Sequence, residues 1–395
     1  MPSQRKKLKI KLGDFQRALI YAVVWQVFFT ILGVILASVW GANDTNKFGY
    51  WLDSPLKYMV NWDGHAYYNN LFDGYLNPMS QGAVFYPLFS ILVYALHFVT
   101  FTLIPPVWCG LIVNTLALAV IFYMFKKICE QLKINVRWVV MFFLTFVSAG
   151  FLNFFYTEAV FVAGSLVAYY FALSKQWWKM GVALAVLTAA RLPAILVVGL
   201  CGLEYLRSNK WRLDKNALWF LLAPVGFLAF GMYLYVVRGD FLAMFNMYNV
   251  PWTDWPYQQF TPNIFGTLIN EGRLLAESVV RGTRSLGSAL VAHGLPLYAL
   301  GILLATSLYG LIKIKRWAVP LGVFGLVSFI LFTINGNINS VHRYVLSSIS
   351  VWLILGYMFQ RARRRGKVAL GIFAGANTLM MLVIFGGFVL YYFTG

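Results

Sequence analysis

Long apolar runs separated by short polar segments make up most of this chain of 395 residues. The runs are about 16 to 25 residues long, close to the ~20 residues with which an α-helix crosses the hydrocarbon core of a bilayer. The pattern predicts an all-α integral membrane protein, a polytopic helical bundle in which residues 1–395 form a single transmembrane domain.

The basic residues predict which polar segments face the cytoplasm. Lys and Arg collect on the cytoplasmic side of membrane proteins, and most of the 32 in this chain fall into six clusters. Two cytoplasmic segments must be joined by an even number of crossings. The clusters are Arg5–Arg17, Lys126–Arg137, Lys175–Lys179, Arg207–Lys215, Lys313–Arg316 and Arg361–Lys367.

One apolar run would make the number of crossings odd and is therefore predicted not to span the membrane. Three runs separate the first two basic clusters. The middle one, Val84–Ile104, contains Pro87 and stops at Pro105-Pro106, and proline interrupts a helix. Residues 41–106 are then expected to form a large first outer loop that contains interfacial helices.

The remaining runs obey the parity rule and bring the prediction to about eleven transmembrane helices. Trp138–Phe155 and Tyr344–Gln360 are each predicted to cross once, and one hairpin of short limbs is broken at Arg191 and Pro193. Residues 238–287 form a second outer loop.

The second outer loop has two notable parts. The aromatic residues Trp252, Trp255 and Tyr257 come first, and an amphipathic stretch from Ile264 to Leu286 follows. Such a stretch is typical of a helix lying on the outer leaflet. A helix that covers a substrate is the alternative.

Composition and charge agree with a membrane location. Hydrophobic residues make up 60% of the chain and charged residues only 11%, whereas soluble domains carry about 25% charged residues. The net charge of +19 is explained by the cytoplasmic clusters, so nucleic-acid binding is unnecessary. Most of the 13 acidic residues fall on the outer side. We therefore expect the chemistry to take place outside, near the membrane.

The stretch Asn61-Trp62-Asp63-Gly64-His65-Ala66-Tyr67-Tyr68 is the richest in candidate chemistry. Asp63 is a good N-cap for a helix that runs to Asp73 and ends at Gly74 in a left-handed turn. The alternative is that Asp63 is a general base at the mouth of a membrane cavity. Its aromatic neighbours suit either a sugar site or an interfacial belt.

Further charged residues lie next to apolar runs. Glu158 after Thr157 is either a first-turn acid behind a cap or a functional group. Arg191 sits where a charge costs about 2.5–3.5 kcal/mol, so it either snorkels to the outer interface or faces a partner such as a lipid phosphate. His342 and Arg343 are either interface anchors or a phosphate site.

Several segments, in this order, resemble a known family. They are Trp62-Asp63-Gly64 with Gly74-Tyr75, then Phe85-Tyr86-Pro87-Leu88-Phe89, then Phe154-Phe155-Tyr156-Thr157-Glu158, and finally Arg191 and His342-Arg343-Tyr344. The second is similar to Phe-Phe-Pro-Leu-Tyr-Pro and the third to Tyr-Ser-Glu in the phosphatidylinositol-glycan class V (PIG-V-like) mannosyltransferases, within the GT-C glycosyltransferase superfamily. The chain departs from the family at Trp62, where Phe is common, and at Ser90, where a second proline is usual.

The resemblance implies a GT-C-like bundle and a polyprenyl- or dolichyl-phosphate sugar donor, used on the extracytoplasmic face by inverting displacement. It gives the role of catalytic base to Asp63. Arg191, His342 and Arg343 are the candidates for binding the donor phosphate, and no metal or cofactor is implied. The candidates for substrate binding are Trp62, His65, Tyr67, Tyr156 and Glu158.

Two other classes of function stay open at this point. One is a lipid or lipid-linked-sugar transporter, in which Arg191 lies along a membrane pathway. The other is a non-catalytic membrane subunit of a glycosylation complex. Mannose is the expected sugar and the acceptor is not specified. The compact chain favours a bacterial cell membrane over the endoplasmic reticulum membrane as its location.

Overall fold

The computed structural model describes residues 12–40, 54–76, 81–247, 263–282, 285–334 and 338–392. Of these residues, 80% are helical, and no strand occurs among them. The described chain is therefore all-α, as the apolar runs predicted. Trp252, Trp255 and Tyr257 of the second outer loop lie outside the described residues.

The helices are numbered in chain order. They are α1 (Asp14–Trp40), α2 (Asp63–Asp73), α3 (Leu88–Val99), α4 (Pro106–Leu132), α5 (Val136–Thr145), α6 (Glu158–Leu173), α7 (Trp177–Leu187), α8 (Ala194–Ser208), α9 (Val225–Arg238), α10 (Ala243–Asn246), α11 (Ile264–Val280), α12 (Leu286–Ala289), α13 (Leu295–Tyr309), α14 (Ala318–Thr333), α15 (Val341–Leu346), α16 (Ile349–Arg361) and α17 (Arg364–Val389). Turns of 3₁₀-helix precede α2, α3, α6 and α9, and π-helical turns flank α13.

Five helical segments in the described ranges are long and apolar enough to cross a membrane. This number is consistent with a multi-pass membrane protein. The segments are Asp14–Trp40, Pro106–Leu132, Lys215–Arg238, Leu286–Ile314 and Arg364–Val389.

The centre of the bundle is formed by α1, α4 and α6, which pack side by side. α4 begins at Pro106, because a proline at the first helical position removes no hydrogen bond. Asp14 at the start of α1 forms an ion pair with Lys126 near the end of α4, so these two helices run antiparallel. On the far side α5 packs against α16, and Phe143 meets the ring of Trp352 edge to face at 5.7 Å.

Two predicted crossings are not continuous helices. In the run Trp138–Phe155, α5 stops at Thr145 and only a 3₁₀ turn, Ala149–Leu152, follows. In the run Tyr344–Gln360, two serines separate α15 from α16, and their hydroxyls donate to carbonyl oxygens one turn earlier. Irregular backbone at membrane depth is tolerated where protein buries it or where it lines a cavity. Both breaks are buried, and both lead to the site described below.

The amphipathic stretch of the second loop also differs from its prediction. α11 ends at Val280 rather than at Leu286, and its buried side is polar. Glu271 accepts a 2.7 Å hydrogen bond from, or donates one to, Nδ1 of His293 in the π-helical turn before α13. Phe265 on the opposite side is 76% exposed. The apolar side of this helix therefore faces away from the protein.

Candidate active site

Asp63 is the first residue of α2, and its carboxylate does not cap that helix. The N-cap position belongs to Trp62, whose side chain makes no capping hydrogen bond. The first-turn N–H groups bond instead to the carbonyl oxygens of Asn61 and Trp62. The prediction that Asp63 is only a helix cap is therefore wrong. The predicted end of the helix at Gly74, in the left-handed conformation with φ 53°, is confirmed.

The backbone just before Asp63 is strained and firmly held. Trp62 has φ 55° and ψ −124°, a conformation that costs a non-glycine residue about 1–3 kcal/mol. Its ring stacks on that of Tyr391 with centroids 4.8 Å apart. The side-chain amide of Asn61 donates to the carbonyl oxygen of Phe388 at 2.8 Å. The far end of α17 thus fixes the direction in which α2 starts.

Gly64 allows α2 to lie close to the segment before α6. A Cβ at this position would be 3.1 Å from the carbonyl oxygen of Met59 and 3.3 Å from the ring of Tyr156. The Tyr156 hydroxyl donates to the carbonyl oxygen of Asn61 at 3.1 Å. The Trp-Asp-Gly sequence therefore combines a carboxylate with the small residue that brings it against this segment.

Glu158 begins α6 and is completely buried. Thr157 occupies the N-cap position, but its side chain makes no capping hydrogen bond, so that part of the interpretation is wrong, whereas Glu158 is an acid in the first turn, as predicted. Oε1 of Glu158 accepts from Nε of Arg343 at 2.9 Å and from its Nη2 at 2.8 Å. The same oxygen accepts from Nη1 of Arg191 at 3.2 Å. Two guanidinium groups therefore converge on one buried carboxylate.

Arg343 joins Glu158 to Asp63. Its Nη1 donates to Oδ2 of Asp63 at 2.8 Å, and its guanidinium lies over the rings of Tyr156 at 4.6 Å and Phe151 at 5.0 Å. Its side chain is only 3% exposed. The interpretation of Arg343 as an interface anchor is therefore wrong, because the breaks after α5 and α15 turn this residue into the interior.

Arg191 lies in the break between α7 and α8 and also turns inward. Its side chain is 10% exposed, and its guanidinium carbon is 4.8 Å from the centre of the Tyr344 ring. The snorkelling interpretation is therefore wrong for this residue. Arg191 faces Glu158, which supplies the opposite charge that a buried cation needs.

Asp63, Arg343, Glu158 and Arg191 form an alternating row of two negative and two positive groups, which we call the charge cluster. Its formal charges sum to zero. The Asp63 side chain is 28% exposed, whereas the other three are nearly or fully buried. The charge cluster is thus accessible at its Asp63 end.

A groove adjoins the Arg191 end of the charge cluster. It lies between α6, α8, α14 and the break before α16. Its walls are mainly apolar, and Arg191 is the charged residue among them. The apolar lining residues are Phe161, Pro193, Leu196, Val197, Phe324 and Phe332. We call this space the apolar groove.

The other predicted site residues support the charge cluster or surround it. Burial lowers the pKa of His65 below its ordinary value, against a hydrogen bond to Asn69 that raises it. Tyr67 is buried and packs edge to face on Phe89 at 5.7 Å, and burial raises its pKa. His342 is fully buried with its ring centre 6.2 Å from that of Phe151. The interface-anchor interpretation therefore fails for His342 as well.

Sequence reasoning missed the residues that hold the charge cluster in place. Phe151 lies under Arg343, and Asn61, Phe388 and Tyr391 fix the start of α2. Asn61 could have been noticed as an amide directly before Trp-Asp-Gly. The two α17-end aromatics carry no local signal, because their partners lie more than 300 residues earlier in the chain.

The charge cluster places a partly exposed carboxylate, Asp63, beside the guanidinium of Arg343, and Glu158 links this group to the guanidinium of Arg191. A carboxylate in this position accepts a proton from a bound hydroxyl, and guanidinium groups bind phosphate. In the described parts of the chain, no group of three or more His, Cys, Asp or Glu is close enough to share a metal ion. Arg343 and Arg191 are the cationic residues of the charge cluster.

Comparison with known proteins does not assign the chain to a class. No protein-family model matches it. A search of curated proteins also finds no match. The function must therefore be argued from the all-α fold, the membrane-length helices and the charge cluster.

Proposed function

We propose that this protein is a glycosyltransferase that moves a sugar, mannose by resemblance, from a polyprenyl- or dolichyl-phosphate donor to an acceptor. The observation that carries the proposal is the ion-paired contact of Asp63 with Arg343, and of Arg343 and Arg191 with Glu158. Transfer from a sugar phosphate needs a base for the acceptor hydroxyl and cations for the leaving phosphate in one site. The charge cluster contains both.

The proposed reaction is a single displacement. The acceptor oxygen attacks the anomeric carbon while the bond from this carbon to the phosphate oxygen breaks, and the electron pair of that bond stays on the phosphate. Asp63 takes the proton of the acceptor hydroxyl. Attack opposite to the leaving group inverts the anomeric configuration.

The apolar groove supports a lipid as the carrier of the phosphate. An isoprenoid chain suits its apolar walls, and a phosphate at the head of that chain suits Arg191. A water-soluble nucleotide sugar has no long apolar chain to bury against such walls. The groove therefore favours a lipid phosphate donor over a nucleotide donor.

For the membrane arrangement we propose about eleven crossings, with the charge cluster on the extracytoplasmic side. The positive-inside rule supports this orientation, because the Arg5–Arg17 and Lys126–Arg137 clusters flank the α1 and α4 ends that pair through Asp14 and Lys126. A bacterial cell membrane is the proposed location, with the endoplasmic reticulum membrane as the alternative.

A second candidate is a lipid or lipid-linked-sugar transporter. The observation in its favour is that Arg191 faces an apolar groove, as a headgroup-binding residue on a lipid pathway would. A transporter gives Asp63 no chemical role, however, and does not require a carboxylate next to the phosphate-binding arginine. A non-catalytic membrane subunit would likewise need no base.

The deciding experiment is a transfer assay with the purified protein in nanodiscs, radiolabelled polyprenyl-phosphate mannose and a membrane lipid extract. We expect transfer by the wild-type protein and a loss of about 10²–10⁴-fold in Asp63→Asn, because the variant lacks the base. Glu277→Gln on α11, 39% exposed, is the matched control. Equal transfer by Asp63→Asn would remove the proposed base. Donor binding or movement without any transfer would favour the transporter.

A further inference from the structure

We propose that Arg343 exchanges Asp63 for the leaving phosphate during transfer, so that one guanidinium couples proton uptake to bond cleavage. The inference rests on the proposed function and concerns the same site. It follows from the way in which the two carboxylates of the charge cluster share Arg343.

The contacts of Arg343 divide into an anchored side and an accessible side. Nε and Nη2 donate to Glu158, which is fully buried, and the guanidinium plane lies over Tyr156 and Phe151. Nη1 donates to Asp63, the most exposed member of the charge cluster. Because Glu158 and the two rings hold the guanidinium, the guanidinium stays in position when its hydrogen bond to Asp63 breaks.

Proton transfer to Asp63 moves one unit of negative charge from this carboxylate to the phosphate, so Arg343 loses one anionic neighbour as another forms. Before the reaction the four groups sum to zero and the donor phosphodiester carries one negative charge. Afterwards Asp63 is neutral, the charge cluster carries one net positive charge, and the phosphate monoester carries two negative charges. The second phosphate charge thus appears at the moment when Asp63 stops neutralising Arg343. The total charge of site and lipid stays constant.

The resting protein consequently holds its base in a masked state. Oδ2 of Asp63 already accepts a 2.8 Å hydrogen bond from Nη1 of Arg343, so this oxygen is occupied before an acceptor hydroxyl arrives. A phosphate that competes for Nη1 of Arg343 releases Asp63 at the same time. The base is therefore unmasked by the donor itself.

The test is a binding measurement that needs no turnover. We would titrate farnesyl phosphate, a monoester, and methyl farnesyl phosphate, a diester, into nanodisc-embedded wild-type protein and Asp63→Asn at about pH 8, well above the second phosphate pKa of about 6. Asparagine mimics the protonated aspartate. We expect the variant to bind the monoester about tenfold more tightly than wild type, with a smaller gain for the diester.

Two controls separate exchange at Arg343 from a general change of charge. Glu277→Gln removes the same formal charge from an exposed position on α11 and should leave both affinities unchanged. In an Arg343→Gln background, Asp63→Asn should not increase the affinity for the monoester, because the expected gain in affinity requires Arg343. Unchanged or weaker monoester binding by a folded Asp63→Asn would overturn the proposal, as would an equal gain in the Arg343→Gln background.

The two proposals fail separately. If wild-type protein transfers sugar while Asp63→Asn binds the monoester no more tightly, the glycosyltransferase stands and the exchange is wrong. If the monoester gain is present but wild-type protein transfers no sugar, the proposed function is wrong and the coupling to proton transfer is wrong with it. Tighter monoester binding by Asp63→Asn, together with sugar transfer by the wild-type protein, supports both proposals.

Discussion

The two ends of α8 each place a buried glutamate beside an arginine, and they do so in different ways. Near its start, Glu158 meets Arg191 across 33 residues and Arg343 across 185. Near its end, Glu204 meets Arg207 three residues later on the same helix, with an N–H···O distance of 2.9 Å from Nε. The Arg207 side chain is 37% exposed, whereas that of Arg343 is 3% exposed.

The ion pairs at the two ends of α8 depend on the fold to different extents. The Glu204–Arg207 pair needs one turn of helix, and its arginine reaches solvent if the glutamate is removed. The charge cluster needs four separate segments to meet, and removing its central glutamate leaves two buried cations. Buried ion networks contribute little net stability, while breaking them is costly. The charge cluster is therefore the more fragile of the two.

The sharpest test of this comparison replaces each glutamate by glutamine. Glu158→Gln should lower the free energy of unfolding by about 3–5 kcal/mol, because Arg343 and Arg191 lose their shared counter-charge. Glu204→Gln should cost about 1 kcal/mol, because Arg207 turns to solvent. Thermal unfolding in one detergent, monitored by tryptophan fluorescence, measures both. Equal losses would show that the two ends do not differ as described.

Replacing Arg343 or Arg207 by lysine should change the stability less than the glutamate substitutions do. Only the Arg343 variant should also lose transfer activity. Lysine has no planar fork and cannot bridge Glu158 and Asp63 as Arg343 does, so Arg343→Lys should cost about 2 kcal/mol of stability. In the transfer assay we expect about a hundredfold loss of rate from the displaced phosphate and base. Arg207→Lys should stay within about 0.5 kcal/mol of wild type with full activity. A well-tolerated Arg343→Lys would contradict the bridging role.

Glycine substitutions compare the close approach of α2 with the open surface of α8. In Gly64→Ala the new methyl group presses on the Met59 carbonyl and the Tyr156 ring, so α2 should shift by a few tenths of an ångström and transfer should fall about tenfold. Gly199 has no atom within 4 Å of a Cβ position, so Gly199→Ala should add up to about 1 kcal/mol of stability. Transfer rates and unfolding temperatures of both variants decide the matter. Full activity in Gly64→Ala would dismiss the close-approach argument.

The smallest effect is expected beyond the end of α8, and it depends on pH. The Tyr205 hydroxyl donates to Asp214 at 2.8 Å and, as the main cause, holds the pKa of that carboxyl below its ordinary value. A depressed pKa gives stability that is present at neutral pH and is lost as the pH falls below about 4. The unfolding temperature of Tyr205→Phe should therefore be slightly lower than that of wild type at pH 7, and the gap should close below about pH 4. A gap that is independent of pH would point to packing instead.

The sequence was sufficient for the parts of this molecule that depend on local pattern. Apolar runs predicted the all-α fold, and Gly74 predicted the end of α2. Arg191 could be selected because a charge within apolar sequence is costly. Asp63, Glu158 and Arg343 could be selected from their local sequence and from the family resemblance. Whether they act as the proposed site stays a prediction.

The sequence could not predict how these residues meet. Local capping rules suggested that Asp63 and Glu158 serve their own helices, because the competing arginines lie 280 and 185 residues away. Hydropathy also gave no sign of the breaks after Thr145 and Leu346, since broken and continuous helices have equally apolar sequences. Those breaks bring Tyr156, Phe151 and Arg343 together.

The spacing of the charge cluster along the chain has a consequence for biosynthesis. At ~5–20 residues per second, Arg343 leaves the ribosome tens of seconds after Glu158. Arg191 follows Glu158 by only 33 residues, so it is the first of the two arginines that can neutralise this carboxylate during synthesis, and a lone carboxylate in apolar surroundings is costly. We therefore expect Arg191 variants to show reduced membrane yield in pulse–chase labelling, through degradation of nascent chains that never reach the assembled state.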